Sequence, residues 1–382
     1  MPRFSIIMPT YNRAALLPEA IRSVQAQTSA DWELIISDDG STDETAAVAA
    51  EFLTDPRIKY YHQPNQGPSA ARNAGVAVCS GEVIAFLDSD DKFMPGAVAL
   101  HQAALEQHPD VGLTIAGCEY VDDAGEHLGW RAPWTEGGDL DLRGWLFNCF
   151  AMPGTTAVRR EWFERMGGFD RDVRLSEDWH FYMKLATQGC PMAWVREYTV
   201  RYRQHSDSLV RNLGRHLEDS LRVLERVLAQ PQPEHVRAMG PAARAWAHVV
   251  FAGKALAAGQ SGLAHRWLRE ALQLDPSLGN RQRAMLTESL LRPPVDWTRS
   301  PIAYGRSVAP HLPPELRLTP LELRRVLARL EMREFFRETD HGHGPGARGH
   351  LAAAIRQDPT WLANRGVLAF LARGMQPRLR RA

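Results

Sequence analysis

Val83-Ile84-Ala85-Phe86-Leu87-Asp88-Ser89-Asp90-Asp91 is an apolar run that empties directly into three carboxylates. The run reads as a buried strand. Asp88 and Asp90 stand two apart with Asp91 beside them, and such carboxylates repel one another unless something neutralises them, as a hard divalent cation with oxygen ligands does. A strand end that delivers carboxylates to Mg2+ or Mn2+, with a phosphate on the same ion, is one reading. A surface Asp-rich turn is the other, and Asp-x-Asp alone does not separate the two.

The flanking sequence does. Phe4 to Pro9 predicts a first strand, and Leu16, Leu17, Ala20, Ile21 and Val24 follow at helical spacing. Trp32 to Ser37 predicts a second strand ending in Asp38-Asp39-Gly40-Ser41-Thr42-Asp43-Glu44, with Ser41 and Glu44 at capping-box spacing for the next helix. Ile58 to His62 predicts a third strand and Pro68 to Val76 a helix, before the strand that runs into Asp88. Repeated β-α units imply an open parallel sheet whose ligands bind outside the carboxyl ends of its strands. Asp38/Asp39 and Asp88/Asp90 should therefore share one rim.

Four of these blocks, Ser5-Ile6-Ile7-Met8-Pro9-Thr10-Tyr11-Asn12, Asp38 to Asp43, Gly67-Pro68-Ser69-Ala70-Ala71-Arg72-Asn73-Ala74-Gly75 and Leu87 to Asp91, resemble in order those of family 2 glycosyltransferases. Gly167-Gly168-Phe169-Asp170, Ser176-Glu177-Asp178-Trp179 and Tyr202 to Ser208 resemble the later landmarks, so the likeness covers about residues 1–210. It implies a GT-A fold, a Rossmann-like α/β domain with a mainly parallel sheet, and inverting transfer from a nucleotide-sugar with Mn2+ or Mg2+ as cofactor. It also implies roles. Asp39, with Pro9, Tyr11 and Asn12, matches the position that reads the nucleotide base, which favours a UDP- or dTDP-sugar. Asp90 matches the metal ligand, Asp88 a donor-site carboxylate, Asp91 a third acid beside them, and Arg72 a basic residue near the nucleotide. His205 matches a histidine near the metal or diphosphate. Asp178 matches the general base that deprotonates the acceptor hydroxyl, with Glu177 in support. From local sequence alone, Glu177 and Asp178 also suit the first turn of a helix N-capped by Ser176, where the dipole favours acids.

At 382 residues the chain exceeds one ordinary domain. Cys79, Cys118, Cys149 and Cys190 are widely spaced, with no Cys-x-x-Cys pair, which fits neither a disulfide framework nor a zinc ribbon. There is no apolar run of about 18 residues to span a bilayer, and no secretory signal pattern before strand one, so the expectation is a cytoplasmic protein. Charge is split. Residues 1–210 hold 30 Asp and Glu against 18 Lys and Arg, and the rest 15 against 27. The basic half, densest from Arg373 to Arg381, suits solvated helices or peripheral contact with anionic lipid at the inner face of a membrane; no nucleic-acid signature accompanies it.

The predicted domains are 1–210, with a donor half to about residue 110 and an acceptor half from 111, and an all-helical region over 211–382. Helices are expected over His216 to Leu228, Pro241 to Ala258, Gly262 to Leu274 and Leu321 to Phe336. Leu274-Asp275-Pro276 and Gln357-Asp358-Pro359 echo each other like tetratricopeptide-type helix ends, and the Pro-rich stretch from Arg292 to Pro314 predicts a long connection. His341-Gly342-His343-Gly344 reads as a loop rather than a zinc site. Trp130, Trp134, Trp145 and Phe147 suit either a sugar platform or core. Acceptors from glycan and lipid-linked saccharide to peptide or small molecule remain open. Nucleotidyl transfer and an inactive binding scaffold are the competing functional readings; the first does not account for Asp178 as a base, and intact Asp39, Asp90 and Asp178 speak against the second.

Overall fold

The computed structural model describes residues 3–135, 138–204, 212–291, 301–340, 344–365 and 367–368. His205, His341, His343 and the Arg373–Arg381 segment lie outside the described residues. The chain divides into two compact units, Met1–Ala247 and His248–Ala382.

The first unit is built on nine strands: β1 Phe4–Thr10, β2 Trp32–Asp38, β3 Ile58–His62, β4 Val83–Phe86, β5 Lys92–Phe93, β6 Leu113–Val121, β7 His127–Arg131, β8 Thr156–Arg159 and β9 Met192–Arg203. Its helices are α1 Leu17–Gln25, α2 Thr45–Phe52, α3 Pro68–Val78, α4 Ala97–Gln107, α5 Leu142–Phe147, α6 Arg160–Arg165, α7 Glu177–Thr187 and α8 Leu213–Ala229. The sheet order is β3-β2-β1-β4-β8-β6-β9-β5, with β7 on β6. The β3-β2-β1-β4 part is parallel, as the β-α repeats require, whereas β8 joins β4 and β6 antiparallel and makes the second half mixed. Chain order reverses around β1, so the loops after β1, β2 and β4 open on one edge.

β1 and β2 are buried along their whole length, which is why they read as continuous apolar runs and not as alternation. The spacing expected for α1 is realised: Leu17, Ala20, Ile21 and Val24 are its buried face. A Cβ on Gly75 would sit 2.5 Å from Ile7 Cγ2, so glycine lets α3 approach β1 closely. In the second half, neighbouring rings of Phe86, Phe163, Phe169 and Phe181 lie 4.9–5.9 Å apart and form an aromatic core. Trp145 belongs to core as well, fully buried against Phe150 and Tyr182, while Trp130 and Trp134 both pack on Tyr198.

One capping expectation fails, and the other holds in position but not through a side-chain bond. Ser41 does not cap α2; its Oγ accepts from Asn12 N at 2.9 Å, and Asp43 takes the Thr45 N–H at 3.0 Å instead. Ser176 does stand at the N-cap of α7, but its hydroxyl lies 2.9 Å from Ser220 Oγ and makes no cap bond.

In the second unit, helices Ser261–Leu274 and Gly344–Gln357 each end in an Asp-Pro turn, with Asp275 accepting from Ser277 N and Asp358 from Thr360 N. The expected echo is thus one local structure used twice. Helix Pro320–Asp340 pairs with Gly344–Gln357 around Met332, Phe335, Leu351 and Ala354. The Pro-rich stretch is not wholly irregular: helix Pro301–Val308 lies inside it, with Pro at its first position, where a missing N–H costs nothing. His350 pairs with Glu331 at 2.7 Å. No helix among the described residues is long and apolar enough to cross a membrane.

Candidate active site

A cleft of about 440 Å³ opens at the carboxyl ends of β1, β2 and β4, and Pro9, Tyr11, Asp39, Arg72, Asp88, Asp90, Asp91, Glu177 and Asp178 all line it. Residues spread over 170 positions of sequence thus converge as the strand-end argument requires. Asn12 does not line it. With φ +52, Asn12 bends the β1–α1 loop, and its Oδ1 accepts from Thr42 N at 2.8 Å, tying that loop to the one after β2.

Asp39 is nearly fully buried and already well occupied. Its Oδ1 accepts from Gln63 Nε2 at 2.7 Å and Gln66 N at 3.0 Å, and its Oδ2 from Gly67 N at 2.7 Å. Three donors leave about one of four lone-pair directions open. Asp39 therefore shapes the 63–67 loop leading into α3, with Gly40 beside it at φ +84 because a Cβ there would meet Asn65 N at 2.8 Å.

Arg72 on α3 is 4% exposed, and its Nη2 and Nη1 each donate at 2.8 Å, to Asp88 and Glu177 respectively. Burial opposes its charge, but Asp88 and Glu177 outweigh burial and hold the guanidinium charged, above its ordinary value. One buried cation so joins the carboxylate loop after β4 to the first turn of α7. A second tie runs nearby: Asn73 Nδ2 donates to Phe169 O at 2.7 Å and Phe169 N to Asn73 Oδ1 at 2.9 Å, fixing the Gly167-Gly168-Phe169 turn on α3.

Asp90 Oδ2 lies 3.4 Å from Arg13 Nη2. Asp91 is buried, accepts from Arg203 N at 2.8 Å, and has its carboxyl pushed well above the usual range by burial and by the charges of Asp90 and Asp88. Among the described residues no group of three or more His, Cys, Asp or Glu side chains can hold an ion alone. Asp88 and Asp90, hard oxygen donors with side chains 28% and 19% exposed, suit a divalent cation that completes its shell with a diphosphate and water.

Asp178 follows Glu177 in the first turn of α7, and its Oδ1 accepts from Trp179 N at 2.6 Å. Removal from bulk water, then repulsion from Glu177, push its carboxyl up to about 7, while the Trp179 N–H and Arg72 pull the other way. Burial also raises Glu177, with Arg72 opposing.

Three residues of the cleft escaped the sequence reading. Thr10 Oγ1 is buried in its wall with no hydrogen-bond partner among the described residues. Arg13 faces Asp90. Arg203, 7% exposed, donates to Asp90 O at 3.1 Å, Asp123 O at 2.6 Å and Glu19 Oε2 at 3.0 Å, so it clamps the carboxylate loop from behind.

A Rossmann-like sheet extended by mixed strands, with a carboxylate cleft at the ends of its parallel part, defines a GT-A domain. The family model for glycosyl transferase family 2 matches residues 5–167 of this chain. It is 44% identical over 115 residues to a GalNAc(5)-diNAcBac-PP-undecaprenol beta-1,3-glucosyltransferase of Campylobacter jejuni, covering 29% of this chain and 37% of that protein. It is 32% identical over 235 residues to the validoxylamine A glucosyltransferase of Streptomyces hygroscopicus, covering 52% and 54%. The chain thus spans less than two thirds of the length of these curated relatives. Among solved structures, Staphylococcus aureus TarS 1-349 in complex with UDP-GlcNAc is similar with TM-score 0.52 at 15% identity, covering 95% of this chain and 92% of that one. The mannosyltransferase PcManGT of Pyrobaculum calidifontis, in complex with GDP-Man and Mn2+, is similar with TM-score 0.51 at 20% identity, covering 81% and 86%. At such identities these two likenesses speak for the fold.

Proposed function

We propose that this chain is an inverting, metal-dependent glycosyltransferase that moves a sugar from a nucleotide-sugar to an acceptor hydroxyl. The observation that carries the reading is one cleft lined by Asp88, Asp90 and Asp178, whose carboxyl is raised to about 7. A group with that affinity for protons is ionised in part at neutral pH and accepts a proton from a hydroxyl more readily than an ordinary carboxylate. Asp178 takes the acceptor proton as the hydroxyl oxygen attacks the anomeric carbon from the face opposite the leaving diphosphate, which inverts that carbon.

Asp90, assisted by Asp88, holds the divalent cation, Mn2+ or Mg2+. When bound, that ion offsets the negative charge on the departing diphosphate. Arg72 keeps Asp88 and Glu177 in place without entering the reaction, and Glu177 keeps Asp178 protonatable near neutrality. Thr10 and the open lone pair of Asp39 are the polar groups left for the nucleotide, in keeping with a UDP- or dTDP-sugar. The Campylobacter relative's name makes a lipid-linked saccharide the first acceptor to try, and UDP-glucose an early donor.

Mass analysis of products from UDP-glucose, UDP-GlcNAc, UDP-galactose, dTDP-glucose and GDP-mannose, each with Mn2+ and a set of glycan, lipid-linked and small-molecule acceptors, tests the reading. Glycosylated acceptor and free nucleoside diphosphate are expected. Transfer of a nucleotidyl group, with the sugar 1-phosphate released, would sink it.

A further inference from the structure

α8 lies beyond the residues that the family model matches, yet it packs within the first unit. Its buried face holds Leu213, Leu217, Val223, Leu224 and Val227, and, unusually for such a face, Asp219 at 6% exposure. Asp219 Oδ2 accepts from three successive backbone N–H groups: Arg174 at 3.2 Å, Leu175 at 2.9 Å and Ser176 at 3.2 Å. Ser220, the next residue, engages Ser176 Oγ at 2.9 Å.

Buried N–H groups need acceptors, and a carboxylate is the strongest acceptor a side chain offers. Here one carboxylate oxygen serves three donors in a row, immediately before the helix that begins at Glu177 and Asp178. The turn it gathers is not remote from the cleft: Arg174 and Leu175 line it. Ser176 makes no cap bond of its own, and Asp219 reaches across from another helix to hold the turn that leads into α7. A negative charge at this end of α7 is also favoured by the helix dipole.

We propose that Asp219 is a positioning residue for the transfer reaction, fixing the 174–176 turn and so setting Asp178 at its distance from the donor side of the cleft. This rests on Asp178 being the base, as argued above. A misplacement of about 1 Å costs a reacting pair on the order of 10²-fold in rate, whereas the carboxylate loop after β4 keeps its hold from Arg203 and the strand ends.

The test compares full-length wild type, Asp219→Ala and Asp219→Asn. It measures hydrogen–deuterium exchange of the 174–176 amides, UDP affinity with Mn2+ by calorimetry, and steady-state UDP release from UDP-glucose and UDP-GlcNAc. Asp219→Ala should exchange faster at 174–176 and lose about 10- to 100-fold in kcat, with donor KM and UDP Kd within about twofold of wild type. Asp219→Asn, whose amide oxygen still accepts, should recover most of both. Unchanged exchange at 174–176 would overturn the proposal, as would kcat and UDP affinity falling together with Asn no better than Ala. If the Ala variant does not fold, Asp219→Ser, whose short hydroxyl cannot serve the three N–H groups, takes its place under the same exchange and kcat-against-Kd criteria. Asp178→Asn in the same assays keeps the two readings apart: a wild-type rate there removes the base assignment, and the exchange rates then judge Asp219 by themselves.

Discussion

At the scale of single residues, the acid pair that opens α7 divides its labour. Glu177 is bound to Arg72, whereas Asp178 accepts from the Trp179 N–H and has its carboxyl raised chiefly by burial, which suits the proton acceptor proposed for it. Asp178→Asn keeps the shape and removes the acceptor; transfer should fall roughly 10²- to 10⁴-fold with UDP affinity unchanged. As the proposed base, Asp178 works when ionised. With its carboxyl raised to about 7, kcat/KM should climb as pH rises to about 7 and flatten above it, and this limb should vanish in the Asn variant. A limb near pH 4 would mean that Asp178 sits in water after all. Asp90→Ala should abolish Mn2+-dependent UDP binding, since the diphosphate loses its counter-ion; calorimetry with and without a chelator reads this directly. Asp39 and Asp88 were visible in sequence as strand-end carboxylates. Their partners were not, because Glu177 lies 105 positions from Arg72 and nothing near either residue announces the pair.

Elements are locked by a different carboxylate. Glu33 on β2 is 2% exposed, yet Ser5 Oγ, Ser80 Oγ and Lys59 Nζ donate to it at 2.7, 2.8 and 2.8 Å, so it ties β1, β3 and the turn before β4 to β2. Burial raises its pKa, but these donors prevail and lower it to about 2 from 4.5. A lowered folded-state value gives stability that is present above about pH 4.5 and lost as pH falls towards 2, on the order of 3 kcal/mol in all. Thermal unfolding of Glu33→Ala against wild type should show the gap at pH 7 shrinking through that window, and a gap independent of pH would contradict it. The strands themselves were legible, since fully buried parallel strands leave unbroken apolar runs. Glu33 inside such a run gives no sign of its partners in sequence, since Ser5, Lys59 and Ser80 lie 26 to 47 positions away. The side-chain bonds of the caps were hidden for the same reason: Ser41 serves Asn12 N, and Ser176, though it stands at the N-cap of α7, turns its hydroxyl to Ser220 on α8.

For the whole molecule, composition marked a change near residue 210 because strand patterns stop there. Packing draws the line later: the first compact unit runs to Ala247, and α8 is inside it. Periodicity reveals a helix and its apolar face but not which surface that face covers. A chain ended at Val210 should therefore lose the cover supplied by Leu217, Val223, Leu224 and Val227 along with Asp219, and should aggregate or melt well below one ended at Gln230; light scattering and calorimetry of the two would show it, and equal behaviour would argue that α8 is dispensable. The Glu19–Arg203 contact carries a last consequence, one of timing. It joins residues 184 positions apart, and with the 105-position Arg72–Glu177 pair it means that the cleft closes only after β9 has emerged and docked. Contacts of such sequence separation form slowly, because their loop entropy must be met before they give anything back. During synthesis the parallel strands can assemble first, with Arg72 and Arg13 already beside Asp88 and Asp90, and the loop after β4 waits for Arg203 to clamp it from behind.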